Sequence, residues 1–89
     1  MKLFTGTCNN HKYAIKIDNL PDRILHDRDG NQVNLRRYEA ECIAADGDGE
    51  VRFSFSETYD ARWGERTPEG IKREMLNLLR RDIDEAGNN

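Results

Sequence analysis

Apolar and polar residues alternate over most of the first 57 positions and then change period. In Lys12–Asp18, Tyr13, Ile15 and Ile17 fall on one side and Lys12, Ala14, Lys16 and Asp18 on the other, the signature of a half-buried strand. A shorter strand over 2–8 leads into it through Asn9-Asn10. Asn19-Leu20-Pro21-Asp22 is expected to end the run, because proline restricts the residue before it. Ile24–Leu35 reads as a small hairpin with a type I′ turn at Asp29-Gly30. Apolar positions are odd up to Leu35 and even from Tyr38, so a bulge at Arg36-Arg37 is expected to restore the facing.

Tyr38, Ala40, Cys42 and Ala44 then alternate with Glu39 and Glu41, and Val51, Phe53 and Phe55 alternate with Arg52, Ser54 and Ser56. The two runs, over 32–44 and 50–57, should pair through the turn Asp46-Gly47-Asp48-Gly49. After a polar linker over 58–67 the period becomes 3.6. Thr67 suits an N-cap, Pro68 the first helical position and Glu69 the positive end of the helix dipole. Ile71, Met75, Leu76, Leu78, Leu79, Ile83 and Ala86 form the apolar stripe of a helix over 68–86, with Gly87 beyond its end and Asn88-Asn89 frayed. Glu69–Arg73, Arg80–Asp84 and Arg81–Glu85 have the spacing of weak i,i+4 ion pairs.

The expected fold is α+β: an antiparallel sheet of three to five strands with one C-terminal helix on its apolar face. The predicted core is Tyr13, Ile15, Ile17, Val33, Leu35, Tyr38, Ala40, Cys42, Val51, Phe53, Phe55, Ile71, Met75, Leu78, Leu79 and Ile83. At 89 residues the chain reads as a single domain, 1–57 sheet, 58–67 linker and 68–86 helix. So small a domain leaves much surface uncovered, which favours association, including a homodimer. There is neither a long apolar run nor an apolar leader, and the two cysteines lie far apart in sequence. A cytoplasmic protein is expected, with Cys42 a buried thiol and Cys8 partly exposed.

Candidate chemistry is thin. Asp46–Val51 resembles the middle of a calcium loop, but Ala44 and Phe55 would fall where two essential oxygen ligands belong. His26-Asp27-Arg28-Asp29 fails similarly, with Gln32 nearby instead of the required glycine. Cys8 with His11, or Cys42 with His26, lacks the context of an activated nucleophile, and no CxxC or HxxxH pair suggests zinc. Glu39 and Glu41 share a strand face but have no cleft to work in. No cofactor, metal or catalytic set is expected.

Charge is more informative. Net charge is −3, yet residues 38–60 carry seven acidic groups and one basic group, while 61–81 carry six basic and three acidic. The acidic residues Glu39, Glu41, Asp46, Asp48, Glu50 and Glu57 can form one surface that imitates phosphates or meets a basic groove. Tyr59, Arg62, Trp63 and Arg66 form a second surface, of the residue types enriched at interface hot spots. The expectation is a non-enzymatic protein-binding module, an inhibitor or accessory of a nucleic-acid-processing or defence complex of the kind phages and mobile elements carry. The alternative is direct nucleic-acid binding by Arg62, Arg66, Lys72, Arg73, Arg80 and Arg81 around the helix N-terminus.

Overall fold

The computed structural model describes residues 1–87; the fraying expected at 88–89 lies outside them. Four strands follow in sequence order, β1 (Lys2–Cys8), β2 (His11–His26), β3 (Gln32–Ala45) and β4 (Glu50–Asp60). They pair as an antiparallel sheet of order β1-β2-β3-β4. A 3₁₀ turn (Ala61–Trp63) and one helix, α1 (Pro68–Gly87), complete the chain. The helix packs on one face, so the expected two-layer α+β arrangement is what the chain adopts.

Three turns set the register. Asn9 and Asn10 both take positive φ, 48° and 67°, which gives the tight β1–β2 turn the mirror-image twist that hairpins favour. The β2–β3 turn is not the type I′ turn expected. Gly30 N–H donates to Asp27 O at 3.1 Å and Gly30 alone has positive φ, 81°, so Asp27–Gly30 is a type I turn closed by a left-handed glycine. Asp27 Oδ1 accepts from the amides of Asp29 and Asn31, and these bonds hold its carboxyl below the ordinary range. In the β3–β4 turn, Asp46 Oδ1 accepts from the amides of Asp48 and Gly49 in the same way.

Pro21 does not end β2. The strand continues through it to His26, 16 residues in all, and absorbs the irregularity as a register shift between Leu20 and Arg23. Proline is tolerated here because β1 reaches only as far as Ile17, leaving the outer edge of β2 without a ladder to complete. The bulge expected in β3 at Arg36-Arg37 is therefore absent, and β3 pairs with β4 without interruption from Leu35 to Ala45. Val33 and Leu35 consequently face away from the helix, opposite to Tyr38, Ala40, Cys42 and Ala44, and leave the predicted core.

Cross-strand rows build the helix-side face: Phe4, Ile15, Cys42 and Phe53 in one, Ile17, Ala40 and Phe55 in the next. Ile15, Cys42, Met75 and Leu79 are wholly inaccessible to solvent, and Ile71 and Tyr38 nearly so. Burial pushes the Cys42 thiol up to about 11. Cys8 is buried, not partly exposed, because it lies on this same face of β1. Val51, Phe53 and Phe55, on the outer strand, are only partly buried. On the helix, Leu76 packs against the core where Leu78 was expected. Tyr13 lies over Gly6, where an added Cβ would meet its hydroxyl oxygen at 2.6 Å. Lys72 Nζ caps Phe4 at 5.0 Å from the ring centre.

Thr67 caps α1 as expected, its Oγ1 accepting from Gly70 N–H at 3.0 Å. The three i,i+4 pairs are not formed; Arg80 instead donates to Asn77 Oδ1 at 3.1 Å. Among the described residues, no helix is long and apolar enough to cross a membrane.

Candidate interaction site at the arm end of the sheet

The molecule measures 55 × 26 × 17 Å, and its length comes from the β2–β3 hairpin. Because β1 pairs no further than Ile17 and β4 no further than Leu35, the segments Arg23–His26 and Gln32–Asn34 form a two-stranded arm. Isolated hairpins bury little. Here Ile24 is 55% exposed and Leu25, opposite Val33 on the other face, 41%.

The segment after β4 folds against the base of this arm. β4 runs to Asp60, into the stretch expected to be linker. Asp60 Oδ1 accepts from Arg62 N–H at 2.9 Å and so caps the 3₁₀ turn. Its carboxylate also receives the guanidinium fork, with Arg62 Nη2 at 2.6 Å, which holds the Asp60 carboxyl below its ordinary range. Arg62 lines a small hollow with Gln32, Val33 and Asn34. Next to it, Trp63 is 88% exposed. The indole does not fold back over the core, although the backbone that carries it is fixed.

Tyr59 and Arg66 behave differently from their neighbours Arg62 and Trp63. Both turn toward the helix side and join a polar network at the mouth of a cleft of about 310 Å³. Tyr38, 2% exposed, donates its hydroxyl to Glu57 Oε2 at 2.5 Å. Arg66 donates to Glu74, lies 3.6 Å from Glu57 and reaches the Tyr38 hydroxyl at 3.4 Å. Arg66 N–H donates to the Tyr59 hydroxyl, which donates to Glu65, and Glu65 pairs with Arg36 at 3.4 Å. Burial first, then the bond to Glu57, pushes the Tyr38 phenol up to about 12. The network ties β3, β4, the 62–67 segment and α1 together, and within it the buried Nε of Arg66 has no hydrogen-bond partner among the described residues.

The acidic residues do not form one surface. Glu39 and Glu41 are exposed on the sheet face away from the helix, where Asp18 stands directly opposite Glu39 and Lys16 opposite Glu41. Glu57 is on the opposite face, bonded to Tyr38. Asp46 and Asp48 occupy the β3–β4 turn, with Asp46 3.4 Å from His11 Nε2. Glu50 meets Arg52 at 3.2 Å. Among the described residues, no group of three or more His, Cys, Asp or Glu is placed to hold a metal ion.

Sequence reasoning missed Tyr38 as the centre of the network. A tyrosine on an apolar phase must find a partner for its hydroxyl, which is a signal, but the partner Glu57 lies 19 residues away. It also missed Ile24 and Leu25 as exposed groups, because the hairpin was not expected to project beyond its neighbours. No family model matches the chain, and no curated protein or solved structure matches it.

Proposed function

We propose that the chain is a non-enzymatic protein-binding module that engages a partner protein through Trp63 and the β2–β3 arm. The observation that carries this reading is Trp63, 88% exposed on a turn fixed by Asp60. A large aromatic held in water on rigid backbone loses little freedom on binding and gains its whole ring area. Ile24, Leu25 and the hollow beside Arg62 extend the same end with apolar and cationic groups.

Beside Trp63, pairing of Arg62 and Arg66 favours a protein over a nucleic acid as the partner of that surface. Arg62 is held by Asp60 and Arg66 by Glu57 and Glu74, so at these two positions phosphates would have to displace carboxylates, whereas Lys72, Arg73, Arg80 and Arg81 on the helix form no ion pair among the described residues. The finer reading is an inhibitor or accessory that meets a basic, nucleic-acid-holding groove. It is supported by Asp18 facing Glu39 across β2 and β3, a like-charge pair that a cationic partner would relieve.

Affinity purification from cells of the natural source, in parallel with and without nuclease treatment, tests the proposal. The unmodified chain should retain a protein partner, and Trp63→Ala should release it while leaving circular dichroism unchanged. Retention of nucleic acid alone, or of a partner indifferent to Trp63→Ala, would contradict it.

A further inference from the structure

Of the free edges of the sheet, β4 offers the longest uninterrupted ladder. β1 is seven residues long and begins with Lys2. The part of β2 beyond β1 contains Pro21 and the register shift. β4 is 11 residues of uninterrupted ladder, Glu50–Asp60, without proline, lysine or bulge, and its outer edge is the sheet boundary. The face of β4 toward the helix carries Val51, Phe53 and Phe55, each only partly buried, although the adjoining β3 row of Ala40, Cys42 and Ala44 is fully covered.

We propose that β4 pairs antiparallel with β4 of a second copy about a twofold axis at Ser54, joining the two sheets edge to edge with both helices on one side. The side chains fit this register. With Ser54 opposite itself, Phe53 faces Phe55 of the second copy and Phe55 faces its Phe53, two aromatic cross-strand pairs. Arg52 faces Ser56 and Glu50 faces Thr58, so no like charges are opposed between positions 50 and 58, and Val51 faces Glu57. Centring the axis on Arg52 would set two arginines against each other. Centring it on Phe55 would set Phe53 against Glu57 and Glu50 against Asp60. This pairing leaves the arm and Trp63 unused and is independent of the protein-binding reading.

Sedimentation velocity on the full chain tests it. The unmodified protein should shift with concentration from 10.3 kDa toward twice that mass. Ser54→Lys should stay monomeric, since two lysines would meet at the axis. Ser54 is exposed and lies opposite Glu41 within its own sheet, so this variant should keep its fold and melting temperature. Under mild oxidation Ser54→Cys should form a disulfide-linked dimer that the unmodified chain, with Cys8 and Cys42 buried, does not. A chain monomeric at every attainable concentration, or a dimer unaffected by Ser54→Lys, or one that Ser54→Cys fails to cross-link, would overturn the proposal.

Discussion

Tyr38 donates its hydroxyl to Glu57 at 2.5 Å from a ring that is 2% exposed, joining β3 to β4 beneath the N-terminal end of the helix. A buried, charge-assisted bond of this kind is costly to leave half made. Tyr38→Phe should lower stability by about 1–3 kcal/mol. Neutral phenol is the form the fold favours, so this contribution is complete below pH 10 and lost as pH rises toward about 12. Denaturation midpoints measured across that window should fall in the unmodified chain more steeply than in Tyr38→Phe.

Met75 and Phe53 rank differently in the core despite similar size. Met75 is wholly enclosed, so Met75→Ala should cost about 2–5 kcal/mol, enough to unfold much of so small a domain. Phe53 is partly buried on the outer strand, so Phe53→Ala should cost less. Urea denaturation of both variants checks the order.

The strand–strand–helix plan was legible because alternation and the Thr67-Pro68-Glu69 start are local signals. What escaped was non-local. Moving the irregularity from Arg36-Arg37 to Leu20–Arg23 turned Val33 and Leu35 to the other face, and only the reach of β1 decides which strand bends. In the candidate site, exposure of Arg62 and Trp63 fits the polar, aperiodic segment 58–67. Tyr59, Arg66 and Glu57 could not be separated from them by residue type, since a strand phase and a helix packed over it set their direction. Cys8 was misplaced because polar neighbours hid its register with Phe4 and Gly6.

The turn at the tip of the arm can be tested by glycine exchange. Only Gly30 has positive φ there, so Gly30→Ala should cost about 1–2 kcal/mol. Asp29→Gly should not stabilise the hairpin, as it would in a type I′ turn. Amide exchange at Ile24–His26 reads both effects.

Asp60 fixes the turn that presents Trp63. Its carboxyl is held below 3.8, chiefly by Arg62, so this support is present above that value and lost as pH falls through the lowered one. Trp63 is the only tryptophan, so fluorescence excited at the red edge of the indole band, where tyrosine does not absorb, reports on it alone. Asp60→Ala should lower its anisotropy at neutral pH, and acid should do the same to the unmodified chain while the sheet persists.

The proposed binding role stands or falls with Trp63. The decisive measurement is the affinity of the captured protein for the unmodified chain and for Trp63→Ala, with melting temperatures recorded in parallel. The expected result is a loss of roughly 30-fold or more, the scale of a hot-spot aromatic, with the melt unchanged. Equal affinities, or a loss that only accompanies unfolding, would contradict it.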